Sequence, residues 1–136
     1  MHEAKQRDEV EVSVWAPVTP RREFLYSYYM ADATAFLVEL PDENCSSLSN
    51  DLHPSLINIG LGEDLTIKEL MKLVKEVVGF QGGLFFDESK PDGTALKLMA
   101  VEKINKLGWK AQTILEKGAK QACRDYLNAR SSSYSY

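Results

Sequence analysis

Residues 56–80 read LINIGLGEDLTIKELMKLVKEVVGF, and this stretch decides the fold class. Thr66 and Glu69 stand at the T-x-x-E spacing of a capping box. In such a box hydroxyl and carboxylate each accept the other residue's backbone N–H, and the cap alone is worth about 1 kcal/mol. Ile67, Leu70, Met71, Val74, Val77 and Val78 then fall on one helical stripe. Gly79 stands where a helix end wants a residue free to take positive φ. Upstream, Leu56 to Ile59 is a short apolar run closed by Gly60, which predicts a buried strand. A strand feeding a capped amphipathic helix points to α/β architecture.

The pattern continues outward in both directions. Leu84 to Phe86 reads as a strand, and Lys90-Pro91-Asp92-Gly93 as a tight turn. Val101, Ile104 and Leu107 give the inner face of a short helix ended by Gly108. Thr113 and Glu116 repeat the capping-box spacing before a last helix carried by Leu115, Ala119, Ala122 and Tyr126. On the other side, Val10, Val12 and Val14 alternate with Glu9, Glu11 and Ser13, the period of a half-buried strand. Pro17 and Pro20 bracket a loop, and the aromatic residues 23–29 are read as a second strand. Met30, Ala33, Phe36, Leu37 and Leu40 predict a helix stopped by Pro41. Residues 42–55 are read as a surface loop. The whole predicts one α/β domain over residues 1–130, with a disordered, serine-rich tail at 131–136.

Composition narrows the function. The chain has 136 residues, with 16 Lys and Arg against 20 Asp and Glu, a formal charge of −4. Such a balance argues against a general nucleic-acid binder. No apolar run approaches the roughly 18–20 residues of a membrane span. The opening, MHEAKQRDEV, lacks the apolar core of a secretion signal. Cys45 and Cys123 read as reduced thiols, and His2 and His53 have no partners at metal-ligand spacing. These readings predict a cytoplasmic protein without a metal.

Arg21-Arg22 follows a proline-bracketed loop, where a guanidinium could grip a phosphate through two parallel hydrogen bonds. Trp15 could stack on a flat ring. Lys90, Asp92 and Lys97 surround a turn that could meet sugar hydroxyls and phosphates. On the residues alone each has a plainer reading: a solvated pair beside Glu23, a core indole, a solvated loop. Gly60-Leu61-Gly62 lacks the third glycine of a dinucleotide cradle, since Leu65 stands in its place. The sequence holds no Gly-x-Ser-x-Gly and no Tyr-x-x-x-Lys.

HEAK (2–5), VW (14–15), TPRREFL (19–25), MADA (30–33), INIGLGEDLTIKEL (57–70), VVGF (77–80), FDESKPDGT (86–94), KLM (97–99) and LGW (107–109) together resemble, in this order, the C-terminal part of the GDP-L-fucose synthase family. That family belongs to the extended short-chain dehydrogenases. The resemblance covers roughly residues 2–126 and implies a small C-terminal substrate-binding domain lacking the Rossmann domain. It implies an NADPH-dependent complete enzyme that epimerises GDP-4-keto-6-deoxymannose at two carbons and reduces a third. Cofactor cradle and catalytic groups would lie in a separate Rossmann-domain half. This chain would then contribute GDP-sugar binding, hold no catalytic residue and bind no NADP alone. The alternative is a non-catalytic GDP-sugar-binding or protein-interaction domain derived from the family.

By motif position the resemblance assigns substrate contact to Trp15, Arg22, Asp92 and Lys97. Trp15 would lie beside the nucleotide, Arg22 would contact the GDP portion, Asp92 the substrate, and Lys97 a phosphate or ribose. The sequence also departs from the family. Ala16 and Val18 replace glycines after the tryptophan, adding strain wherever positive φ is needed. Ser27-Tyr28-Tyr29 replaces an acidic helix start, and Ala95-Leu96 replaces a Pro-Arg pair.

Overall fold

The computed structural model describes residues 1–15, 19–46, 56–87, 89, 94–112 and 114–132. The elements run α1 (His2–Gln6), β1 (Glu11–Val14), β2 (Arg21–Arg22), α2 (Ser27–Val38), α3 (Asp42–Ser46), β3 (Leu65–Thr66), α4 (Ile67–Val78), β4 (Gly83–Phe86), β5 (Leu96–Lys97), α5 (Glu102–Lys106) and α6 (Leu115–Ser132). Two small sheets hold the strands. β1 pairs with β4 in parallel, with Val12 opposite Leu84 and Val14 opposite Phe86. β2 is the centre of the other sheet, antiparallel to β3 and parallel to β5. The α/β reading of the sequence therefore stands.

α4 forms as its residues dictate. The Thr66 hydroxyl accepts the Glu69 N–H at 3.1 Å, and a Glu69 carboxylate oxygen accepts the Thr66 N–H at 2.8 Å. Gly79 closes the helix at φ 68°, a left-handed conformation costly for any residue with a Cβ. Lys5 of α1 donates to the Val78 carbonyl at 2.8 Å, setting a cation at the negative end of the helix. The apolar stripe of α4 is half-buried and packs on α6, while Lys68, Glu69, Lys72 and Glu76 face solvent.

Glu69 carries a pH signature. The Thr66 N–H first, and the Thr66 hydroxyl second, hold its carboxyl below the usual glutamate range. A lowered folded-state pKa stabilises the fold above the unfolded value of about 4.3 and loses that contribution as pH falls through the folded value. Thr66→Ala is expected to cost about 1 kcal/mol near neutral pH. The gap between variant and wild-type melting curves should narrow when the melts are repeated at about pH 3. The backbone N–H survives this substitution, so an equal gap at both would show that the Thr66 hydroxyl does not hold the charge.

The core is small. Ala33 of α2, Val101, Ile104 of α5 and Trp109 form a buried cluster, joined by the partly buried Tyr29, Phe36, Leu37, Ile57, Ile59 and Ala111. The Trp109 indole N–H donates to Asp32 at 2.7 Å, so MADA and LGW, far apart in the chain, close on one another.

Several expectations need correction. Residues 23–26 are not a strand, and Ser27 to Tyr29 already belong to α2. The aromatic pattern favours a strand, but the Tyr29 N–H turns back to the Tyr26 carbonyl at 2.9 Å and Tyr29 packs into the core. Leu56 to Ile59 alternates in exposure but forms no strand and has no strand neighbour among the described residues; Ile57 and Ile59 pack against the core and Leu56 does not. Asp42 to Ser46 is a short helix where a loop was expected. Val10 lies outside β1 and is exposed. On α6, Ala119 is half-buried but Ala122 and Tyr126 are exposed. α6 also runs through Ser131 and Ser132, into the stretch expected to be a disordered tail. The capping pair at Thr113 lies outside the described residues. No helix among the described residues is long and apolar enough to cross a membrane.

Candidate functional site

Strand alternation separates the two adjacent arginines of β2. Arg21 donates through Nε to Asp64 Oδ1 at 2.7 Å and through a second nitrogen to the Asp64 carbonyl at 3.1 Å. That hydrogen bond first, and the aspartate charge second, push the Arg21 guanidinium still further from deprotonation. Arg21 is therefore a structural tie between β2 and the segment entering β3. Arg22 faces the other way. Its guanidinium donates to the Arg21 carbonyl at 2.7 Å and lines a groove of about 620 Å³. This lies within the 300–1,000 Å³ usual for small-molecule sites.

Lys97 lines the same groove. β5 lies beside β2 with Arg22 in register with Lys97, so cations 75 positions apart in sequence (97 minus 22) come side by side. Gly60, Leu98 and Met99 complete the walls, with Met30 of α2 beside them. The arrangement offers two positive side chains over a largely apolar surface. Its chemistry suits a ligand with an anionic end and a flat or apolar body.

Glu23 also lines the groove, and the reading by motif did not include it. Its two carboxylate oxygens accept the Gly62 N–H at 2.7 Å and the Met99 N–H at 2.8 Å. A Cβ on Gly60 would collide with the same carboxylate. The signal in the sequence is slight: one acid beside Arg21-Arg22, and two glycines far downstream. These contacts also bear on the Gly60–Gly62 turn. The Gly62 N–H that a pyrophosphate would need is given to a carboxylate, so the Gly60–Gly62 turn does not fit an NADP phosphate.

The four residues singled out from the sequence fare differently. Arg22 and Lys97 are brought together. Trp15 follows β1, in the other sheet, is 77% exposed and is not among the groove-lining residues. It is therefore not the core indole of the plainer reading either. Asp92, with Lys90, Ala16 and Val18, lies outside the described residues. The Asp87 N–H donates to the Val14 carbonyl at 3.0 Å, and the Asp87 carboxylate accepts the Ser89 N–H and hydroxyl. The Ser89 hydroxyl first, and its N–H second, lower the Asp87 pKa. Among the described residues no cluster could hold a metal ion. His2 packs edge-on against Tyr126, and Cys123 is a free, half-buried thiol.

No family model matches the chain. It is similar to solved structures of two reductases from Campylobacter jejuni. One is a GDP-6-OMe-4-keto-L-xylo-heptose reductase (36% identity, TM-score 0.77), of which it covers 34% while 88% of its own residues are matched. The other is a GDP-mannoheptose C4 reductase with NADP bound (32% identity, TM-score 0.74), covering 92% of this chain and 41% of that one. The fold is thus that of a segment of the GDP-sugar reductases. By sequence the chain is a relative of the GDP-L-fucose synthases. It is 45% identical over 126 residues to a probable GDP-L-fucose synthase of Oryza sativa subsp. japonica, a match over 93% of this chain. It spans about a third of that relative's length, 35%.

Proposed function

We propose that this chain is the C-terminal, substrate-binding portion of a GDP-L-fucose-synthase-like protein and holds the diphosphate of a GDP-sugar in the groove between β2 and β5. The observation that supports this most directly is the in-register pairing of Arg22 and Lys97 on the groove wall. Arg22 offers the planar fork that suits phosphate oxygens, and Lys97 a movable point charge. Asp92 falls in the connection 87–95, between β4 and β5. The parallel connection 15–20 carries Trp15, and the ends of the two are paired strands. That topology supports a role for Asp92 and Trp15 at the mouth of the same site.

The chemistry of the complete family enzyme needs a nicotinamide and a proton donor at one carbon. In this proposal both come from a separate Rossmann-domain half, and this chain orients the substrate. Such a partner has a surface to meet: α2 presents Met30, Ala31, Thr34, Ala35 and Val38 as an apolar groove, and Val38 is 80% exposed. The same face supports the second reading, a protein-interaction domain that no longer binds nucleotide.

Calorimetry separates the two. GDP titrated into the 136-residue chain should release heat that weakens with added salt. No heat at millimolar GDP would reject the nucleotide reading and leave the interaction reading. Incubated with NADPH and GDP-4-keto-6-deoxymannose, the chain alone should give no turnover, and a supplied Rossmann half should restore it.

A further inference from the structure

We infer that Glu23 is the positioning residue of this groove: by fastening both walls to β2, its carboxylate sets the spacing at which Arg22 and Lys97 meet an anionic ligand. The ligand part of this inference rests on reading the groove as a nucleotide diphosphate site.

One oxygen of Glu23 holds the 60–62 turn, 39 positions away, through the Gly62 N–H. The other holds the chain just beyond β5, 76 positions away, through the Met99 N–H. Arg22 precedes Glu23 directly, and Lys97 lies two residues before Met99. One side chain therefore fixes the backbone behind both cations. Both bonds are charge-assisted, roughly twice as strong as neutral ones. Gly60 belongs to the same device. Its φ is not in the left-handed region, so an alanine there meets no backbone strain, only the Glu23 carboxylate.

Amide hydrogen exchange on the full chain tests the fastening without any ligand. In Glu23→Ala, exchange at both Gly62 and Met99 should quicken by roughly ten- to a hundredfold, the loss of a hydrogen bond to a charged acceptor. Glu23→Gln keeps the shape but only one acceptor oxygen, so protection should fall at one of the two amides and persist at the other. If Glu23→Ala does not fold, this variant decides alone. Gly60→Ala should loosen both amides in the wild-type background and do almost nothing in Glu23→Ala, a coupling that a double-mutant cycle reads directly. Unchanged exchange in a folded Glu23 variant, or a Gly60→Ala effect of the same size with and without Glu23, overturns the inference.

GDP binding tests the positioning role. Affinity should fall about tenfold in Glu23→Gln, with Arg22 and Lys97 untouched. Glu116→Gln, on the exposed face of α6 and not among the groove-lining residues, should leave it unchanged. Unaltered affinity in a Glu23→Gln protein whose amides have loosened would reduce the residue to a structural strut. A wild-type chain that binds no GDP defeats the nucleotide reading, while the exchange result still decides the fastening.

Discussion

Arg22→Ala is expected to weaken GDP binding by roughly ten- to a hundredfold, equivalent to about 1.5–3 kcal/mol for hydrogen bonds to a charged acceptor. The wild-type affinity should fall steeply with salt, and the variant's less so, because one cation no longer faces the diphosphate. Lys97→Ala should cost less, since an ammonium lacks the two-pronged geometry of a guanidinium. Arg21→Ala is the decisive control. It sits one residue away on the same strand, but its guanidinium is committed to Asp64. Affinity within about twofold of wild type is expected there, while Arg22→Ala falls tenfold or more. Equal losses in the two variants would mean that the arginines act only through net charge, and the groove assignment would fail. Calorimetry at two salt concentrations reads all three variants.

Ile104→Ala is expected to be the most damaging single substitution for the fold. Ile104 is 0% exposed and is the largest side chain so completely enclosed among the described residues. Truncating such a residue costs about 2–5 kcal/mol, from lost burial and the cavity left behind. A domain of this kind has only about 5–15 kcal/mol in total. The buried apolar side chains here are few and include the small Ala4 and Ala33. The melting temperature should fall by about 10 °C or more. Ile104→Val should cost about 0.5–1.5 kcal/mol. Circular dichroism melts of both variants check the ratio. A small loss in Ile104→Ala would show that the cluster around Trp109 collapses freely onto the gap.

The residues that specified their own local structure were the ones readable in advance. Thr66, Glu69 and Gly79 fix the ends of α4 by hydrogen bonds and φ within a few positions, so the sequence alone defines them. Val12 and Val14 alternate because one face of β1 is covered. β2, β3 and β5 have only two residues each and exist because distant segments pair there; no window of that length carries a pattern. Tyr28 and Tyr29 mislead for a related reason. Their strand preference is overridden once α2 docks on the core. Of the groove-lining residues, Arg22 and Lys97 are singled out by family motifs, not by spacing. Glu23 was missed because its meaning lies in two backbone amides that the sequence does not bring near it.

The pairs β1–β4 and β2–β5 are both parallel, and a parallel pair cannot be closed by a tight hairpin. Everything between Arg22 and Leu96, including α2 and α4, must be threaded before β2 and β5 can meet. The groove proposed to bind the nucleotide therefore has no early, partly built form. It arrives only with the slowest, least local contacts of the chain. A ribosome-bound or proteolytically shortened product that stops before Lys97 would lack Val101, Ile104, Trp109 and α6, and with them the surfaces on which α2 and α4 pack.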